Sequence, residues 1–372
     1  MERHRTIILQ IMLRKRLNSV VGRTARAACK LFIWLALALA GLAHGQTCAP
    51  GDEMDAPTRW ALEVAAQRYF GLAAKGDVAG LKQSAIPSVA ESFSGIAAAV
   101  QENQSSFAAA KAVLRDVFAL TVEEQTPPAQ GASQRLEFLC GVFGKSGQTA
   151  SSAVFVLNGL PAGRYAVAIL DVVAAGGTST GAKQDSASNR DAYVVSFVLQ
   201  QLAGEWKLGG FYAKAAKSAG HDSAWFAERA RAFVAKGQTR NAWFYFLQAR
   251  NLATVVPFMS TRETDRLYDE AQKIMPADLP GEAPLELLAG GKSYKIRTVF
   301  AYGVAGEVNL VAKYDWADVS DAAKTYAENQ AVARALVAKW PELRDGFGAI
   351  VTRATETSGK DYGTLVVMGE LK

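Results

Sequence analysis

The hydrophobic period of the chain changes along its length, and the order of those changes restricts the architecture more than any other feature. Behind Asp55 and Pro57, a helix-starting pair, Leu62, Ala65, Tyr69 and Leu72 recur at three- and four-residue steps until Gly76. A second stretch sets Val89, Phe93, Ile96 and Val100 on one helical face. A third carries Phe107, Leu114 and Phe118, before Pro127, Pro128 and Gly131 end the helical part. Short runs rich in β-branched and aromatic residues follow at 135–143, 153–157, 165–173, 193–199 and 206–212, and they predict an antiparallel meander. The Gly/Ser/Thr/Asn-rich stretch 174–191 reads as a flexible loop joining two of these strands. Helices first and strands afterwards argue against the alternating βαβ order of a nucleotide-binding sheet. They predict an α+β fold with helices packed on a curved antiparallel sheet.

From 223 to 253 the period returns to 3.6, through Phe226, Ala230, Phe233, Gly237, Ala242, Phe246 and Ala249. Small residues then fall where two helices cross, which predicts an α-helical hairpin, with a third helix over 261–274 as its cap. Pro276, Pro280, Gly281, Pro284 and Gly290-Gly291 mark a linker. Beyond it, strands at 294–301 and 307–314, a helix at 321–340 and strands at 349–355 and 364–369 read as a ββαββ unit. The expected organisation is an α+β domain at 46–216, the hairpin at 217–276, a linker at 277–292 and a small C-terminal α+β domain at 293–372.

Residues 1–45 stand apart. Leu31 to Ala43 is a 13-residue apolar run behind a basic stretch, followed by the small-x-small site Ala43-His44-Gly45. That pattern reads as a cleaved export signal, starting at Met1 or Met12. The run is shorter than the roughly 20 residues a membrane-spanning helix needs, so no integral span is expected after cleavage. The expected location is periplasmic or extracellular. Cys48 is preceded by Gly45-Gln46-Thr47, which does not fit lipid attachment. Cleavage would leave Cys48 and Cys140 as the remaining cysteines, and outside the cytosol an even pair suggests a structural disulfide; the alternative is two unrelated buried thiols.

Charge and histidine content narrow the chemistry. The whole chain carries +6, yet the first 45 residues hold eight of its 41 basic and one of its 35 acidic side chains. The remainder is near neutral, which does not support a nucleic-acid-binding body. Of three histidines, only His221 lies beyond the leader. No multi-histidine metal site is expected, no catalytic residue is assigned, and no cofactor is implied.

Some segments carry resemblances. Ala61–Ile86 (ALEVAAQRYFGLAAKGDVAGLKQSAI), with Tyr69-Phe70 and the Gly76-Asp77 break, and Gly204–Tyr212 (GEWKLGGFY) resemble the first helices and last strand of the nuclear transport factor 2-like superfamily. The likeness spans about 56–215 and implies a cone-like domain. Members of that superfamily include hydrolases, isomerases and binding modules, so it implies no one activity. The spacing over 223–253 is similar to one tetratricopeptide hairpin. EFLCGVFGKSGQ, GHDSAWF and KDYGTL resemble segments of an exported bacterial family of unknown function, which implies a shared architecture alone.

A cone of this kind would hold a pocket between sheet and helices, for which Trp60, Tyr69, Phe138, Tyr193 and Phe211 are candidate lining residues, the alternative being ordinary core. Glu137, Asp171 and Glu205 are the strand-borne carboxylates from which a general base would come, against the commoner reading of exposed strand ends. Gly144-Lys145-Ser146 lacks the glycine of a phosphate loop, because Leu139 stands at that position; it reads as a turn. His221-Asp222 reads as a helix start capped by Asp222 or Ser223, in preference to a catalytic dyad. Trp243, Phe244 and Tyr245 place aromatics round one helix turn, which requires cover either from the rest of the chain or from a partner surface. The function expected is a non-enzymatic binding or envelope-associated scaffold, its partner an unknown protein or a small apolar ligand. The alternatives are a small-molecule hydrolase or isomerase using the cone pocket and a peptide-binding adaptor using the hairpin.

Overall fold

The computed structural model describes residues 46–123, 135–141, 152–173, 192–304 and 306–371. The segments expected to form an export signal (1–45), a break at Pro127–Gly131, a turn at Gly144-Lys145-Ser146 and a loop over 174–191 lie outside the described residues. The compact unit begins at Gln46.

Helix α1 (Ala56–Lys75) starts and stops where its terminal residues direct. The Asp55 side chain accepts a hydrogen bond from the Thr58 N–H at 2.8 Å, and Gly76 closes the helix at φ 68°, a left-handed conformation that suits glycine. Short helices α2 (Val78–Gln83) and α3 (Pro87–Glu91) lead to α4 (Ser94–Phe107). These helices cover one face of an antiparallel sheet ordered β1-β2-β5-β6-β7: β1 (Gln46–Pro50), β2 (Lys111–Val122), β5 (Gly163–Val173), β6 (Ala192–Leu202) and β7 (Glu205–Ala215).

Two expectations are corrected here. The third helical stretch ends at Phe107, and Leu114 and Phe118 belong to strand β2, where Val113, Val117, Thr121 and Val122 favour extended backbone. The meander is also not one sheet. Strand β4 (Ala153–Asn158) pairs with β3 (Arg135–Cys140) on one side and β8 (Met259–Ser260) on the other in a separate three-stranded sheet. This small sheet lies on the second face of the large one, where Phe118, Phe138, Phe155, Tyr165, Val167 and Ile169 form one core. Strand β5 therefore divides its residues between two cores, with Ala166, Ala168, Leu170 and Val172 facing the helices. Cys48 on β1 and Cys140 on β3 are disulfide-bonded with their Cα atoms 5.1 Å apart, as the cysteine count suggested.

The helices α5 (Ser223–Ala235), α6 (Thr239–Ala253) and α7 (Arg262–Gln272) share a third core with the C-terminal sheet. That sheet is ordered β13-β12-β11-β10-β9: β9 (Leu285–Ala289), β10 (Lys292–Val304), β11 (Glu307–Asp315), β12 (Ala349–Thr355) and β13 (Asp361–Val367). Strand β9, within the stretch read as a linker, turns through Gly290-Gly291 to pair with β10, so the unit is βββαββ. Helix α8 (Ala322–Lys339) and the short α9 (Leu343–Gly346) connect β11 to β12, which run parallel. Among the described residues no helix is long and apolar enough to cross a membrane.

Candidate functional site

The last residues of β7 alternate across the sheet, which sets Tyr212 and Lys214 on one face. Tyr212 meets Phe258 edge-on with ring centroids 5.7 Å apart. Lys214 extends to the C-terminal end of α6, where its ammonium donates to the backbone carbonyl oxygen of Asn251 and, at 2.6 Å, to that of Thr254. Carbonyls at a helix end lack intrahelical partners and carry partial negative charge, so a cation there satisfies them and opposes the helix dipole. Burial pushes the Lys214 pKa down to about 8, with the neighbouring Arg115 charge acting in the same direction.

Lys214 lines a cleft of about 780 Å³. One wall is α6, through Phe244, Leu247, Asn251 and Leu252; the opposite side is β10, through Phe300 to Gly303; residues 254–257 complete it. The β10 wall comes close because residue 303 is glycine. A Cβ there would lie 2.4 Å from the Ala219 backbone nitrogen. Among the described residues that line the cleft are Lys214 and Lys217, and no aspartate or glutamate. A second cavity, of about 840 Å³, shares Leu252 and Val255 with the first and is lined by Arg115, Asp116 and Asp171.

Of the residues expected to line a cone pocket, Tyr69, Tyr193 and Phe211 share one core, while Trp60 and Phe138 lie elsewhere. Trp60 is 68% exposed on the outer side of α1. Tyr69 is fully buried, its hydroxyl donating to the Trp206 carbonyl at 2.8 Å. Phe211 and Tyr193 pack in the same helix-side core, with the Tyr193 hydroxyl 2.9 Å from Ser106 Oγ. Phe138 belongs to the core on the opposite face of the sheet. Tyr69 is buried and Tyr193 half-buried where α1 and α4 pack on β6 and β7, which leaves these rings as core.

The strand carboxylates are engaged or exposed. Asp171 accepts from Arg115 Nη1 at 3.1 Å and is half exposed. Glu205 pairs with Lys207, whose hydrogen bond holds the carboxyl below its ordinary pKa, the reverse of what a general base needs. Glu137 is exposed on β3, its backbone N–H donating to Gln46 Oε1 at 2.9 Å. Asp222 caps α5 by accepting from the Trp225 N–H at 3.0 Å, and His221 stacks on Trp225 at 3.6 Å between ring centroids. Trp243, Phe244 and Tyr245 are buried in the core shared with the C-terminal sheet, so the chain itself provides their cover. Among the described residues no group of three or more His, Cys, Asp or Glu side chains is placed to hold a metal.

Lys214 lies two residues beyond the strand pattern read over 206–212, so that pattern does not single it out. The signal available was the alternation Phe211, Ala213, Ala215 against Tyr212, Lys214, a charge on one face of an apolar strand. Compared with known protein families, with characterised proteins and with solved structures, the chain matches none.

Proposed function

We propose that the mature chain is an exported, non-enzymatic binding protein, with a nuclear transport factor 2-like cone and a tetratricopeptide-like hairpin serving as its scaffold. The single observation that carries the binding reading is the cleft between β7, α6 and β10, with largely apolar walls and a desolvated amine. Its volume is within the ~300–1,000 Å³ typical of small-molecule sites, and a few polar groups among apolar ones is how such sites fix orientation. The filled cores on both faces of the large sheet support a ligand held outside the cone. The disulfide and the basic, then apolar, leader support export.

Native mass spectrometry of the protein purified from its exported fraction tests this reading. The expected result is a small-molecule adduct that is lost in Leu247→Trp, a variant that fills the cleft, while circular dichroism stays unchanged. No adduct, or one indifferent to filling the cleft, would overturn it.

A further inference from the structure

The charge that bears on the cleft is that of Lys214. No aspartate or glutamate is among the described residues that line it, and Arg115, whose charge acts on Lys214, is itself paired with Asp116 and Asp171. The Lys214 ammonium has three N–H donors, of which two go to the Asn251 and Thr254 carbonyls. Among the described residues it forms no ion pair with a carboxylate. The partial negative charge at the end of α6 is about half an elementary charge, less than the charge of the ammonium that it faces. A cation held among apolar walls with a donor to spare and no counter-ion favours an anion that carries its own apolar surface.

We propose that the cleft binds an amphipathic monocarboxylate, its carboxylate accepting the remaining Lys214 N–H and its apolar body lying between Leu247 and Leu252 of α6 and Phe300 and Tyr302 of β10. The proposal rests on the reading of this cleft as the binding site and adds the class of ligand. Phe300 and Tyr302 are exposed at 38% and 55% and line the cleft, so each presents apolar surface to a ligand there.

Calorimetric titration of the mature protein with dodecanoate, dodecanol and dodecyltrimethylammonium, each kept monomeric, separates the outcomes. Dodecanoate should bind about tenfold or more tighter than either analogue, and Lys214→Met should abolish that preference. Phe300→Ser, at a partly exposed position, should weaken all binding without loss of fold. Equal affinity for dodecanoate and dodecanol on the parent protein, weakened by Phe300→Ser, would overturn the carboxylate assignment and leave the cleft as an apolar binding site. No binding, or binding unaffected by Phe300→Ser, would overturn both. Should Lys214→Met fail to fold, the ligand series on the parent protein decides alone.

Discussion

Lys214 is a strut as well as a cleft group, because the same ammonium ties β7 to the end of α6. Its pKa gives that role a pH signature. In the unfolded chain the lysine keeps its proton to its ordinary value of 10.5, whereas in the folded protein it loses it at about 8. Between those values the unfolded state binds more protons, so this residue makes stability rise with pH across that window. The side chain is partly open to water, so the slope should be below that of one whole proton. Buried Tyr245 has its pKa pushed up to about 12 by desolvation, against an ordinary 10. That group acts in the opposite sense above about pH 10, where an unfolded tyrosine ionises and the folded one does not. Urea denaturation at intervals between about pH 8 and about pH 10 should therefore show the parent gaining stability relative to Lys214→Met. A constant difference between the two across that range would refute the depressed pKa. Capping residues such as Asp55, Gly76 and Asp222 are legible in sequence because their hydrogen bonds close within a few residues. The partners of Lys214 stand 37 and 40 residues further along the chain, and no local pattern announces them.

At the scale of elements, the second layer on the large sheet distinguishes this fold from a sheet with one open face. Phe155 on β4 is fully buried and meets Phe118 of β2 edge-on with centroids 5.2 Å apart, so it joins the small sheet to the large one. Phe155→Ala should cost about 3–5 kcal/mol, the usual range for deleting a buried phenyl ring, read as a lowered denaturation midpoint with an unchanged slope. A loss under about 1 kcal/mol would mean that the small sheet is loosely seated. The helices α1, α5 and α6 were readable because a 3.6-residue period persists over several turns. Strand β2 is hard to read for a physical reason: its register shifts between Leu114 and Asp116, which breaks the two-residue alternation, while Phe107, Leu114 and Phe118 by chance satisfy helical spacing. The unbroken apolar run of β5, Ala166 to Leu170, was the available sign of cover on both faces, since a sheet with one wet face alternates. Strand β9 was hidden by the prolines before it and the two glycines after it, which are also the punctuation of a linker.

On the scale of the whole molecule, the compact unit and the proposed cleavage site coincide. The unit starts at Gln46, and that residue is already the first of β1, opposite Val122 in the large sheet. Two positions later Cys48 is bonded to Cys140 of the small sheet, across 92 residues of sequence. Strand β1 thus joins two sheets, by backbone pairing to one and by a covalent bond to the other. Removal of residues 1–45 takes away none of these contacts, whereas removal of residues 1–50 takes away the strand and the disulfide together. A chain starting at Gln46 should therefore unfold as exported material does, with Gln46 also found as its first residue by N-terminal sequencing. A chain starting at Gly51 should lose the stabilisation of a long-loop disulfide, about 2–4 kcal/mol, as well as the pairing of one edge strand. For a protein of this size each kcal/mol lowers the melting temperature by about 2–4 °C or less, so the two chains should differ by several degrees in a thermal melt run without reductant. Adding reductant should move the longer chain most of the way towards the shorter one. Equal melting temperatures in oxidising buffer would show that β1 is not a structural part of the mature body, and an exported chain beginning ahead of the apolar run would refute cleavage.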